Sequence, residues 1–486
     1  MRAGRQVEGV AGRGGVRASC VLSSPDGDGR ALVRHGQATL LGKRIQALLS
    51  DPADRKTHPA TVRRLGARRR VRAVRTIGER MADPWDPLDR PLGRLLRLAQ
   101  AADPQQVVET LSLTVAELGG SDVVLFLIDY DHSRLEPHPD VLPHGEDPSV
   151  VSLEGSMAGR VFMSGRPLSS QRDNGWHVWV PVTERAQKLG VLSMTLPIWD
   201  ENVESLCVEL GIAAAHLVST ANGYTDRLHL LRRRKNMSLA AEMQWGVLPP
   251  LTFSMDGTTV AGLMEPAYEV GGDCFDYSLN GDALNIAMFD SMGHGLRSAV
   301  LGSLAVSAYR NTRRENPRAD LQTLLTEVDA VIAEYAGGDA FVTGLFARLD
   351  VTTGDLAWAT AGHPEPLHVR HGATLPPVQS QPVAPLGLNS FVEQRGDVEV
   401  VATSLEPGDA VLFYTDGVVD ARNPDGEEFG VSRLADLLER ESTSGWDPAE
   451  VLRRLVQSVL EHHGTRLRDD ASTLYVSWEA PAASRR

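Results

Sequence analysis

Four acidic sites between residues 271 and 470 stand at strand-like ends, beside glycine or at a turn, and they are where this chain could do chemistry. Gly271-Gly272-Asp273 is the first, and Asp290-Ser291-Met292-Gly293-His294-Gly295 follows the apolar run 283–289. Thr415-Asp416-Gly417 follows Val411-Leu412-Phe413-Tyr414, and Asp469-Asp470 precedes Thr473-Leu474-Tyr475-Val476. A strand end fixes where a carboxylate projects, and a neighbouring glycine lets backbone and water crowd onto the same cation. Hard carboxylate oxygens with no cysteine and few histidines among them suit Mg2+ or Mn2+ rather than Zn2+. Two such ions would lower the pKa of a bridging water and clamp a phosphoryl oxygen, as in-line hydrolysis of a phosphate ester requires. A single Asp-Gly is turn vocabulary. Four acidic sites in matching strand–loop contexts argue instead for convergence on metal.

The elements that must position these acids are legible as apolar runs. Strands are expected at 258–263, 283–289, 341–349, 356–361, 410–414 and 473–477, with helices at 294–310 and 321–335. Upstream, Val107, Val108, Leu111, Val115 and Leu118 recur at helical spacing behind an Asp103-Pro104 start signal. Strand-like runs follow at 123–128, 177–182 and 189–196, with a glycine-punctuated helical segment at 155–161 between the first two. This is an α+β, sensor-like layout. Leu206, Leu210, Ala213, Leu217, Ala221, Tyr224, Leu228 and Leu231 form a near-heptad stripe, to be covered either by their own domain or by a second copy in a parallel homodimer. A further helical segment, 239–248, ends at Pro249-Pro250.

Composition bounds the partners. The chain of 486 residues has 49 Lys+Arg against 63 Asp+Glu, a net charge of −14, which disfavours a polyanion as main partner. That average conceals a partition: residues 1–80 hold 18 basic and 6 acidic residues, a net of +12, which leaves −26 for the rest. The basic segment reads as a disordered, solvated tail, an attractor of nucleic acid or membrane, or the product of too early a start codon, with Met81 as the alternative. Three scattered cysteines, Cys20, Cys207 and Cys274, exclude a disulfide scaffold and fit a cytoplasmic location. Cys207 falls in a helical pattern and is expected to pack as a small hydrophobe. Neither an uninterrupted apolar span of bilayer length nor a secretory h-region is present in the pattern.

The stretches VVLFLID, GSMAGRVFMSGRPL and WVPVTERAQKLGVLSMTLP resemble a GAF domain over residues 92–222, a fold of small-ligand and signal sensors. The ordered set GGD-x-F-D, D-x-x-GHG, AGHP, TDG and DD resembles the metal-dependent serine/threonine phosphatases of the PPM (PP2C-like) superfamily, specifically the SpoIIE/RsbU branch. Residues 239–250 are similar to that branch's linker, so this likeness covers 236–480. The fold class implied is α+β: a GAF-like domain and a PP2C-like α-β-β-α sandwich joined by a long helix. The divisions are a basic tail at 1–80, the sensor at 92–222, a helical linker, coiled coil and switch helix at 206–250, and the phosphatase domain at 251–480.

Carried over residue by residue, the resemblance implies Asp273, Asp290, the Ser291 backbone carbonyl, Asp416 and Asp469 as ligands of two Mn2+ or Mg2+ ions. Asp276, Gly293, Gly417 and Asp470 would stand just behind them. His294 is either a general acid or a helix-start residue bonding its own loop, and His363 in AGHP is expected to shape a turn rather than bind metal. Cys274 replaces an aromatic residue of the family pattern and would be an oxidation point if exposed. The function implied is dephosphorylation of serine or threonine on a STAS-type anti-anti-sigma factor, gated by a GAF-like domain that could take a small molecule. The rivals are an inactive phosphoprotein-binding scaffold and a metal nuclease run by the basic tail. The four acids speak against the first and the −26 charge against the second.

Overall fold

The computed structural model describes residues 91–138, 149–268, 271–378, 380–388, 398–464 and 470–481. The expected tail at 1–80 and the expected ligand Asp469 lie outside the described residues.

The N-terminal region opens with helices α1 (Pro91–Ala101) and α2 (Val107–Glu117) and strands β1 (Ser121–Ile128), β2 (Arg134–Pro137) and β3 (Val151–Ser152). It continues through α3 (Met157–Ser164), β4 (Leu168–Arg172), β5 (Gly175–Glu184), β6 (Gln187–Leu196) and α4 (Glu201–Asn222). The strands form one antiparallel sheet in the order β3-β2-β1-β6-β5-β4. Side chains alternate across a strand. Accordingly Val123, Leu125 and Leu127 pack with α1, α2 and α4, whereas Val124, Phe126 and Ile128 pack with Ala158, Val161 and Phe162 of α3. Burial on both faces explains why β1 reads as an unbroken apolar run. Asp103 does not cap α2 as expected. Its side chain accepts from Gln105 N at 3.0 Å in a turn, and the helix begins at Val107 behind Gln106.

The single helix expected over the 206–231 stripe is replaced by two, α4 and α5 (Arg227–Leu231), and the further helical segment expected at 239–248 is α6 (Leu239–Val247). Asn222 and Gly223 are poor helix formers, and Thr225 Oγ1 accepts from Arg227 N at 3.2 Å, starting a new turn instead. The near-heptad stripe is consumed by its own domain. Leu210, Ala221 and Leu228 are buried in the sheet-facing core, with Ala213, Leu217 and Leu231 packed against it, while Tyr224 points outward. Of the two expected ways to cover the stripe, packing on its own domain is the one these buried residues fit. By length and composition α4 is apolar enough to cross a membrane, and here its apolar face lies on β5 and its neighbours.

The remainder comprises β7 (Thr252–Met255), β8 (Thr258–Glu265), β9 (Cys274–Asn280), β10 (Ala283–Ser291), α7 (Leu296–Glu315), α8 (Leu321–Ala336), β11 (Val342–Asp350) and β12 (Asp355–Ala361). After these come β13 (Leu367–Arg370), β14 (Ala373–Thr374), β15 (Val401–Ser404), β16 (Ala410–Tyr414), α9 (Asp416–Val419), α10 (Val431–Ser442), α11 (Pro448–His463) and β17 (Ala471–Trp478). Two antiparallel sheets result, β15-β12-β11-β10-β9 and β14-β13-β16-β17-β8-β7. Leu284, Ile286 and Met288 of β10 meet Val411, Phe413, Leu474 and Val476 between the sheets. The opposite faces carry helices: α7 and α8 lie on Ala287, Phe289 and Phe346, and α10 and α11 on Leu412 and Tyr475. The expected α-β-β-α sandwich is thus present. Strand ends gather on one of its edges: β10 ends at Asp290-Ser291, Thr415-Asp416 follows β16, Asp470 precedes β17, and Asp273 precedes β9.

Candidate metal centre

Asp273 is buried, and its carboxylate accepts from Thr415 Oγ1 at 2.7 Å. Thr415 Oγ1 in turn accepts from Ser472 N at 3.0 Å, so one hydroxyl ties the start of β9 to the ends of β16 and β17. Asp470 faces the same loop: Gly271 N donates to its two oxygens at 2.8 and 2.7 Å, and Asp273 N to Oδ2 at 3.3 Å. Burial pushes the Asp273 carboxyl well above the usual carboxylate range, and the charges of Asp290 and Asp470 push it further. Three carboxylates share this corner, and the side-chain compensation acting on Asp273 is that of two neutral hydroxyls, Thr415 and Ser472. That electrostatic arrangement calls for a cation.

Two close approaches bring the segments together. A Cβ on Gly272 would overlap the carbonyl oxygen of Ser291, and one on Gly417 would overlap that of Asp470. Only glycine admits backbone this close. The Ser291 carbonyl therefore lies beside the Asp273 loop, and Gly417 seats the Thr415-Asp416 turn on Asp470. Asp290 is half-buried at the end of β10, while Asp416 is exposed as the first residue of α9. Among the described residues, no three acidic, histidine or cysteine side chains sit close enough to hold an ion by themselves. Hard oxygens from Asp273, Asp290, Asp416 and the Ser291 carbonyl suit Mg2+ or Mn2+, and the acid surplus around Asp273 fits a divalent cation.

Other expected residues fall elsewhere. Asp276 turns away from the corner: its carboxylate takes Arg310 Nε and Nη2 at 3.1 and 2.7 Å and also pairs with Arg313. It clamps β9 to α7, and a role directly behind the metal is corrected to one in helix–sheet packing. Gly293 and Gly295 both have positive φ, and His294 is exposed between them, just ahead of α7. His363 is buried, its Nδ1 2.9 Å from the Thr343 hydroxyl, and Thr343 is paired with Asp290 across β10 and β11. Burial lowers its pKa to about 3, so it is a neutral structural imidazole behind Asp290, in keeping with the turn-shaping role expected. Cys274 is fully buried with its thiol pKa raised by burial, which removes the oxidation point. Cys207 packs in the N-terminal core as expected, its thiol raised to about 11.

Two contributors escaped the sequence reading. Thr415 is one. The other is Gln244 of α6, fully buried, whose Nε2 donates to the Asp273 carbonyl at 2.7 Å. A glutamine inside the apolar stretch 239–248 was the available signal, since a buried amide needs a partner.

Residues 280–479 match the family described as Stage II sporulation protein E (SpoIIE). Protein IcfG of Synechocystis sp. is 24% identical over 275 residues, 50% of this chain and 41% of that protein. Phosphoserine phosphatase RsbU of Bacillus subtilis is 22% identical over 240 residues, 49% of this chain and 68% of it. Among solved structures, the SiaA-PP2C domain of Pseudomonas aeruginosa aligns at 22% identity over 49% of this chain and 94% of that one, with a TM-score of 0.42. The chain thus spans less than half the length of IcfG. Its C-terminal region is similar to SpoIIE and to the phosphoserine phosphatase RsbU.

Proposed function

We propose that this chain is a metal-dependent phosphoprotein phosphatase of bacterial signalling that removes phosphate from serine or threonine of a STAS-type anti-anti-sigma factor. The observation that carries the reading is the buried Asp273 carboxylate facing Asp290 and Asp470, with the Ser291 carbonyl alongside. Asp273, Asp290, Asp416, Asp469 and that carbonyl would hold two Mn2+ or Mg2+ ions. When bound, such a pair supplies a water of lowered pKa and positive charge for the phosphoryl oxygens. The chain's own part is positional: Thr415 orients the Asp273 carboxylate, Asp470 fixes the Gly271–Asp273 backbone, and Gln244 holds the Asp273 carbonyl. His294, exposed at the mouth of the loop, is free to reach a leaving alkoxide as general acid.

The N-terminal region is read as a GAF-like sensor of a small molecule, acting on the centre through α6, in a cytoplasmic protein. Incubation of the full chain and Mn2+ with a serine-phosphorylated STAS protein should release inorganic phosphate, scored by mobility-shift electrophoresis. Persistent phosphorylation of that substrate, with hydrolysis of small aryl phosphates intact, would remove the substrate assignment and leave the chemistry standing.

A further inference from the structure

We infer that Tyr130 is a positioning residue for the carboxylate centre, acting through Trp245 and Gln244. The inference rests on the phosphatase reading and names a physical contact by which the N-terminal region would bear on that site. Tyr130 lies two residues beyond β1 and is buried, with a side chain held on every side. Its hydroxyl is 2.8 Å from His229 Nδ1, and the Arg232 guanidinium lies 4.5 Å from its ring centroid. Arg232 Nε donates to the Ile128 carbonyl at 2.8 Å, pinning the connecting segment to the end of β1. The ring meets Trp245 of α6 edge-on at a centroid distance of 4.7 Å.

Trp245 is itself fixed, because its Nε1 donates to the Ala267 carbonyl at 2.9 Å. The preceding residue is Gln244, which reaches the Asp273 carbonyl. Successive helical residues point about 100° apart, so a rotation of α6 that moves one side chain moves the other. The Gln244 Oε1 is buried with no hydrogen-bond partner, and the other end of the amide holds the Asp273 carbonyl and also bears on the Cys274 thiol beside it. A nine-residue helix is too short to hold itself, and its placement comes from contacts. Ala241 on Met264, Arg310 Nη2 on the Val247 carbonyl at 2.6 Å, and Tyr130 on Trp245 are among those contacts. The first two lie within the catalytic sandwich. The third comes from the N-terminal sheet and joins Tyr130 to Asp273 through two residues.

The test is hydrogen exchange of the full chain by mass spectrometry, with Mn2+ binding by calorimetry alongside. Tyr130→Leu should speed exchange at least fivefold in peptides covering 239–248 and 271–276, leave those covering 258–265 unchanged, and weaken Mn2+ binding by a similar factor. Tyr130→Phe keeps the ring and should restore protection. In a Gln244→Ala background, Tyr130→Leu should add nothing at 271–276. Trp245→Leu breaks the same contact without touching the N-terminal core, and must reproduce the effect even if Tyr130→Leu disturbs that core. Unchanged exchange at 271–276 in Trp245→Leu, or additive effects in the double variant, would overturn the relay. Because exchange needs no turnover, a protein that neither binds Mn2+ nor hydrolyses phosphate would end the phosphatase reading while the relay is still decided by its protection pattern.

Discussion

Two buried aspartates, one in each half of the molecule, show what separates a structural acid from a functional one. Asp129 follows β1 and is fully buried, with its oxygens taken by Ser133 N at 2.8 Å, Ser133 Oγ at 2.8 Å and Arg134 N at 3.2 Å. Asp273 precedes β9 and is as deeply buried, yet it has the Thr415 hydroxyl on one side and the charges of Asp290 and Asp470 on the other. Asp129 closes a turn. Asp273 belongs to a group of acids whose mutual repulsion a cation would offset.

The comparison is sharpest if substitution at the two positions has opposite signs. Asp273→Asn should reduce Mn2+-dependent phosphate hydrolysis by at least about 10^3-fold, equivalent to roughly 4 kcal/mol. It should nevertheless raise the metal-free unfolding temperature, because one of three crowded charges is gone. A lowered melting point together with retained hydrolysis would make Asp273 another Asp129. Asp276 tests the acid that the structure moved out of the site: Asp276→Ala strands Arg313 and should cost about 3 kcal/mol in urea unfolding. Its kcat per folded molecule should change far less than that of Asp273→Asn.

Asp129→Ala should cost about 1–3 kcal/mol, the penalty of leaving loop donors unpaired, with unaltered hydrolysis once folded. The smallest expected effect is at the junction of the two regions. Burial, with Asp131 and Asp129 nearby, raises the Glu265 carboxyl to about 8. The folded state therefore keeps a proton that the unfolded chain releases above about pH 4.5, and stability falls as pH rises from there to about 8. Glu265 is half-buried, and after solvent screening the slope amounts to about 1 kcal/mol. Glu265→Gln should flatten it, as read from unfolding midpoints at pH 5.5 and 8.5.

The sandwich was readable because its central strands are covered on both faces and appear as continuous apolar runs. β9 was not, since Cys274-Phe275-Asp276-Tyr277 interrupts that pattern with an acid whose arginine partners lie more than thirty residues away. Helix α11 carried its own signals, an Asp447 cap before Pro448 and a left-handed Gly464, and its Leu452, Leu455 and Val459 stripe went unread between charged residues. The stripe from Leu206 to Leu231 was seen correctly as apolar, but periodicity cannot say whether a sheet or a second helix covers it. At the centre, carboxylates beside glycine were legible as motifs. Thr415 and Gln244 were not, because their value lies in bonds to a residue 142 and 29 positions away, respectively.

The central claim is that the converging acids hold a metal that hydrolyses phosphate esters. Its most direct measurement is p-nitrophenyl phosphate hydrolysis by the full chain with Mn2+, beside Asp290→Asn at equal folded concentration. The account predicts hydrolysis that rises with Mn2+, disappears with chelator and is lost in Asp290→Asn. Equal rates in the two proteins, or none in either, would contradict it.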